Sequence, residues 1–286
     1  PPFMMEHSGA QERTHLFSWY QAVAAFAGIA GGIMGGNLPG WFAGWLGVVA
    51  QDVTAYQAAV VALALISGVS LIPLFVLRAN STGVRRISTH PLRGVRADGP
   101  LLFKLLFPNL LIALGAGLFI PFRNVFFRTR FGVSDGDVGI IFALAALVAA
   151  VAIVLGPVTA QRFGKVRAVA VQQSLSVPLI LVMGFAPFFP LVVAATLVRT
   201  ALMQMSGPVF NAYTMEVVRD ETRVTASSLM NMVWTLGWVV SAPISGQLQL
   251  GGDWAGIFIG MAILYAAGNA LIYVYFDRRP RTADGG

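Results

Sequence analysis

The sequence predicts an all-α protein that crosses a membrane several times. Of its 286 residues, 57% are hydrophobic and only 11% are charged, and the mean hydropathy is +0.74. Soluble domains carry about 25% charged residues, so this composition excludes an ordinary soluble domain. Residues 138–160 and 168–198 contain no charge, and about 20 apolar residues form a helix long enough to span a bilayer. Two membrane spans are therefore predicted to meet at the short cationic turn 161–167.

Charged and turn-rich breaks divide the whole chain into apolar runs, each about the length of one span. The prediction is thus a polytopic helical bundle with about eight transmembrane helices. Ser134 followed by Asp137 indicates a capping box at the start of the fourth helix. The eight runs cover residues 16–38, 56–77, 101–122, 137–160, 168–184, 190–215, 224–248 and 254–276.

The positive charges indicate how the predicted helices are oriented. Lys and Arg residues cluster in alternate loops, and the positive-inside rule makes those loops cytoplasmic. Both termini are therefore expected on the cytoplasmic side of the plasma (inner) membrane. Because the cations follow the loops, the net charge of +7 does not indicate a nucleic-acid partner. Four cations break the pattern: Arg123, Arg128, Arg130 and Arg199.

No enzyme constellation is present in the sequence. It contains no cysteine, and its histidines, His7, His15 and His90, all lie in predicted cytoplasmic loops. No Ser-His-Asp, metal-spaced or phosphate-cradling pattern occurs. We therefore expect neither catalysis, nor a cofactor, nor a metal site.

The polar stretch 79–99 predicts a basic cytoplasmic linker between two bundles. The first bundle, residues 1–78, would hold two spans, and the second, residues 100–276, would hold six, followed by a cytoplasmic tail at 277–286. A weak internal repeat at an offset of 210 supports this division, because Glu6 and Arg13 recur as Glu216 and Arg223. The chain begins without an initiator Met, so we expect a fragment that lacks the first spans of its first bundle.

Three loops carry a resemblance to a known family. Residues 156–167 read Gly-Pro-Val-Thr-Ala-Gln-Arg-Phe-Gly-Lys-Val-Arg and resemble the G-x-x-x-D-R-x-G-R loop signature of the major facilitator superfamily. Residues 215–223, Met-Glu-Val-Val-Arg-Asp-Glu-Thr-Arg, resemble the family's loop between spans ten and eleven, and residues 12–18 its loop between spans four and five. The resemblance implies a chain running from the end of span four to span twelve.

The resemblance also implies a function, namely secondary transport of a small molecule by rocking of two bundles about a midplane site. A proton or a sodium ion is the candidate coupling ion, the direction would be efflux, and a monomer in the lipid bilayer is expected. Two other functions remain open: a sensor or scaffold that keeps the fold without transporting, and the membrane subunit of an ATP-driven complex.

The loop signature predicts a cytoplasmic gate. Arg162 is the candidate partner of Glu216, in a contact made in one transport state and broken in the other. Gln161 stands where the family has Asp, and Pro157 where it has Gly. An equally weighted alternative is therefore that the cations of this loop only fix the topology. The predicted gate consists of Arg162, Gly164, Lys165, Glu216, Arg223, Glu6 and Arg13.

Polar residues within the runs predict a substrate cavity. A cation inside a span usually faces a bundle interior or an aqueous cavity, which makes Arg199 the main candidate, although snorkelling to the outer rim is the alternative. Thr200, Gln204 and Asn211 share one helix face. Asn231 and Asn124 complete the predicted cavity, with interhelical hydrogen bonding and a polar helix end as their alternatives.

Glycines in the first run predict close helix packing. Gly28, Gly32 and Gly36 recur at a spacing of four and form a small-residue face. They also resemble the family's antiporter signature G-P-x-x-G-G, although Gly32 stands where that signature has Pro. Close packing is the favoured interpretation.

Overall fold

The computed structural model describes residues 10–49, 52–69 and 98–276 and is helical throughout its regular segments. Every described residue of the eight predicted spans lies in a helix, so the all-α prediction is confirmed. In chain order the helices are α1 (Ala10–Leu46), α2 (Val53–Val69), α3 (Gly99–Phe119), α4 (Arg123–Phe131), α5 (Asp135–Phe163), α6 (Lys165–Phe185), α7 (Phe189–Val217), α8 (Arg223–Leu250) and α9 (Trp254–Phe276).

Five helical segments of the described chain are long and apolar enough to cross a membrane: Gly99–Phe131, α5, α6, α7 and α9. The first of these joins α3 to α4 through the 3-10 turn Ile120–Phe122. Helix α8 has 28 residues but more polar side chains, while the described part of α2 has 17 residues. The remainder of the second predicted run, together with the predicted linker and tail, lies largely outside the described residues.

Local sequence accounts for how α5 begins and ends. At its start, Ser134 Oγ donates to Asp137 Oδ2 at 2.6 Å, and the Asp137 N–H donates back to Ser134 Oγ at 3.2 Å, which forms the predicted capping box. At its end, Gly164 alone separates α5 from α6 and has φ +83°, a conformation that only glycine adopts without strain. The loop signature therefore contains its glycine at the tightest turn of the described chain.

The chain forms two compact units. Unit 1 contains residues 1–87 and 127–147, so its described helices are α1, α2, the second half of α4 and the first half of α5. Small residues make the contact between α1 and α5: a Cβ on Gly32 would lie 2.9 Å from the Ala143 backbone N, and one on Gly36 would lie 2.6 Å from the Asp135 carbonyl oxygen. Backbone thus touches backbone directly, in the manner of small-residue membrane interfaces.

Unit 2 contains residues 88–126 and 148–286, and its main helix pairs are α3 with α8, α3 with α9, α6 with α7, and α6 with α9. Small residues again let the helices approach: a Cβ on Gly237 of α8 would lie 2.6 Å from Ala113 Cβ of α3. One end of the core is an aromatic cluster whose ring centroids lie 4.8–5.5 Å apart. It consists of Phe119, Phe126, Trp254 and Phe258.

Candidate functional site

The predicted gate residue Glu216 has a different partner from the one proposed above. Lys165 Nζ forms an ion pair with Glu216 Oε1, whereas the Arg162 guanidinium lies over the Phe163 ring, 5.5 Å from its centroid. The reason lies in helix packing. Helix α6, which begins at Lys165, packs along α7, which ends next to Glu216, while Arg162 belongs to the last turn of α5.

A second ion pair, which sequence reasoning missed, lies in unit 2 near the start of α3. Arg219 Nε is 3.3 Å from Asp98 Oδ1, and Asp98 is buried while Arg219 is exposed. From the sequence, Asp98 is predicted to lie in the linker. A signal was available, because Asp before Gly-Pro is typical of a helix start.

The other predicted gate residues are divided between described and undescribed positions. Arg223 Nε donates to the Met215 carbonyl oxygen at 2.6 Å, so it ties the start of α8 to the last turn of α7. Glu6 lies outside the described residues. Arg13 lies in α1, but its side chain is outside the described part of the structure.

The most buried of the predicted cavity residues is Arg199, with a relative exposure of 5%. Its Nη2 donates to the Tyr265 hydroxyl at 2.6 Å, and its guanidinium carbon is 5.2 Å from the centre of that ring. Arg199 therefore connects α7 to α9 inside unit 2. Sequence reasoning did not find Tyr265, because nothing in the sequence distinguishes it from the other tyrosines of this run, Tyr273 and Tyr275.

The remaining polar residues of α7 are more accessible. Thr200 is half-buried and its hydroxyl donates to the Thr196 carbonyl oxygen at 2.8 Å, while Gln204 and Asn211 are exposed. The three side chains share a helix face, as their spacing predicts. A polar strip thus runs along α7 on its accessible side.

Two further predicted cavity residues are exposed in unit 2. Asn231 on α8 is exposed and donates to the Ser227 carbonyl oxygen at 3.1 Å within its own helix. Asn124 on α4 is also exposed, and its neighbour Arg123 donates through Nε to the Ile120 carbonyl oxygen at 3.3 Å. The Asn231 amide donor is therefore used locally rather than between helices in this conformation.

A polar cluster in unit 1, not predicted from the sequence, joins α2, α4 and α5. Arg128 Nη1 lies 3.2 Å from Asp135 Oδ1 and donates to the Tyr56 hydroxyl at 2.8 Å, and that hydroxyl in turn donates to Asp135 Oδ2. A signal was present, since Arg128 and Asp135 carry opposite charges across a short turn.

Asp52 caps α2 by accepting from the Thr54 N–H at 2.8 Å, and the bonds from Thr54 hold the Asp52 pKa below its usual value.

These features define a polytopic helical membrane protein with polar residues held inside and along its helices. The sequence model of the Major Facilitator Superfamily matches residues 105–285. The chain belongs to this superfamily of membrane transporters. No curated protein matches the sequence.

Solved structures of transporters have the same fold. A bacterial homologue of the iron transporter ferroportin, in an inward-facing state, has a TM-score of 0.73 and 12% identity, covering 98% of this chain and 67% of that one. A bacterial metal transporter has a TM-score of 0.68 and 15% identity, over 96% and 68% of the two chains. A bacterial homologue of the human lysosomal transporter Spinster, in an inward-facing occupied conformation, has a TM-score of 0.65 and 15% identity, over 95% and 71%. At these identities the likeness shows the fold alone.

Proposed function

We propose that the protein is a secondary active transporter that moves a small molecule by alternating access, with a proton or sodium ion as the coupling ion. The observation that carries this proposal is the polar strip on α7. Gln204 and Asn211 are exposed within a helix apolar enough to span a membrane. Polar side chains at that depth usually face water or a bundle interior rather than lipid, because lipid offers no hydrogen-bond partners.

The proposed cavity wall in unit 2 is this strip together with the exposed Asn231 of α8 and Asn124 of α4. Amide and hydroxyl groups can donate and accept, which suits them to orient a polar substrate. None of these side chains is charged, so they would set orientation, while charge recognition would fall to Arg199.

We further propose that the Lys165–Glu216 pair is the cytoplasmic gate. It joins the ends of α6 and α7 at the predicted cytoplasmic side, and both partners are partly exposed to solvent. An exposed ion pair contributes only about 0–1 kcal/mol, so it can form and break during a transport cycle at small cost. Arg162, one turn away, remains available as an alternative partner in another state.

Substrate counterflow in liposomes that contain the complete protein tests the proposal. We expect Gln204→Ala to lower the rate at least severalfold, because it removes a polar contact from the cavity wall. Gln247→Ala is the matched control. Gln247 is also exposed, but it lies on the face of α8 opposite Asn231, so the rate should stay within a factor of about two of wild type.

The opposite outcome would be flux that is insensitive to Gln204, or no flux for any compound in a broad panel. Flux that is insensitive to Gln204 would mean that the polar strip on α7 does not line the cavity. The second would favour a sensor or scaffold that keeps the fold.

A further inference from the structure

The Arg199–Tyr265 pair has hydrogen-bond donors that no described residue accepts. Arg199 Nε is buried without a partner. The Tyr265 hydroxyl accepts from Arg199, and its own proton meets no acceptor in the described chain. A buried donor left unpaired costs about 1–3 kcal/mol, and more when it is charged. Two donors, one on α7 and one on α9, thus lack an acceptor among the described residues of unit 2.

Among the described residues, no carboxylate forms an ion pair with Arg199. Arg199 is about 15 Å along α7 from its start, which is half the thickness of a bilayer core. Glu216 is about 25 Å further along the same helix, and Asp253 is about 18 Å from Tyr265 along α9. The carboxylates of unit 2 whose side chains the structure describes all lie at helix ends, at Asp98, Glu216, Glu221 and Asp253.

The Arg128–Tyr56 pair of unit 1 shows which kind of group completes such an arrangement. There too an arginine Nη donates to a tyrosine hydroxyl and lies over the ring, with 5.7 Å from the guanidinium carbon to the ring centre. In that pair, however, the Asp135 carboxylate accepts from both the tyrosine and the arginine. The same kinds of donor are present in unit 2, where the described residues supply no carboxylate to accept from them.

We propose that Arg199 and Tyr265 bind the anionic group, a carboxylate or a phosphate, of the transported substrate. This inference rests on the proposed transport function and names the substrate class of that site. Thr200 follows Arg199 directly and begins the accessible polar strip with Gln204 and Asn211, which gives the anion a polar route to the pair. The strip orients the substrate and the Arg199–Tyr265 pair recognises its charge.

Thermal unfolding of the complete, purified protein in detergent tests anion binding without requiring transport. The probes are sodium phosphate, acetate and citrate, each compared at equal ionic strength with sodium chloride. Saturating binding should raise the unfolding midpoint of the wild type by about 5 °C with at least one probe. Arg199→Gln should abolish the shift, whereas Arg199→Lys, which keeps the charge, should retain part of it. Arg128→Gln is the matched control and should respond like the wild type.

Each result decides the proposal. A shift that needs a cation at position 199 supports it, whether or not flux is seen in the counterflow experiment. Equal shifts in wild type and Arg199→Gln, or no shift with any probe, overturn it even where neutral or cationic compounds are transported. Stabilisation by phosphatidylglycerol micelles but by no soluble anion also overturns it, because the group bound would then be a lipid headgroup.

Discussion

Two arginine–tyrosine pairs, one in each unit, share their hydrogen bond and their ring contact but differ in charge balance. In unit 1 the Asp135 carboxylate binds to the Arg128–Tyr56 pair, and the Arg128 side chain is 37% exposed. In unit 2 Arg199 is buried, and no described carboxylate binds to the Arg199–Tyr265 pair. The same contact is therefore a neutral structural junction in unit 1 and a site with excess positive charge in unit 2. The surroundings of an arginine, rather than its immediate hydrogen bond, therefore indicate what it can bind.

The largest difference in stability between the two pairs is expected when the tyrosine hydroxyls are removed. Tyr265→Phe removes the acceptor of a buried cation and should lower the free energy of unfolding by about 2–3 kcal/mol. Tyr56→Phe should lower it by less than about 1 kcal/mol, because Arg128 keeps Asp135 in a partly exposed setting. Chemical denaturation in detergent measures both. Equal losses would mean that the two pairs are energetically alike.

Removing the arginines should have opposite effects in the two units. Arg128→Gln leaves the Asp135 carboxylate without its cation and should cost about 1–2 kcal/mol, a figure between those for exposed and buried pairs. Arg199→Gln removes an uncompensated buried charge and should leave stability unchanged or higher in the absence of an added anion. The double variant Arg128→Gln with Asp135→Asn should recover part of the loss, and a large loss in Arg199→Gln alone would contradict the contrast.

The smallest effect on stability is expected at the Lys165–Glu216 pair, a third kind of cation environment. Because both partners are partly exposed, Lys165→Glu should cost at most about 1 kcal/mol of stability. If the pair is a gate, the same variant should slow counterflow much more than it lowers stability. Exchange of the two charges, in Lys165→Glu with Glu216→Lys, should restore part of the rate, and Arg162→Glu with Glu216→Arg should restore less.

Hydropathy and charge order were enough to predict the helices, because a bilayer admits few alternatives to an apolar helix of span length. The turn at Gly164 and the capping box at Ser134 were also predictable, since each depends on residues a few positions apart. Such features need no knowledge of which helices are neighbours.

Partners of the charged residues were harder to predict, because they depend on distant packing. The choice of Arg162 for Glu216 followed the motif, whereas the observed choice of Lys165 depends on α6 lying beside α7. Tyr265 and Tyr56 belong to helices far from their arginines in sequence, and no spacing pattern in the sequence connects either tyrosine to its arginine. The position of Arg199 within a predicted span was visible in the sequence, but only the fold shows that no described carboxylate pairs with it.

The contact of Gly32 and Gly36 with Gly139 has a mechanical consequence. Here two helices touch through backbone, and a Cβ on Gly139 would lie 2.5 Å from the Gly32 carbonyl oxygen. Interlocked side chains resist sliding, because they must change rotamer before one helix can move past another. The glycine contact between α1 and α5 has no side chains to interlock, so a small rotation of one helix against the other would not require a rotamer change at this point.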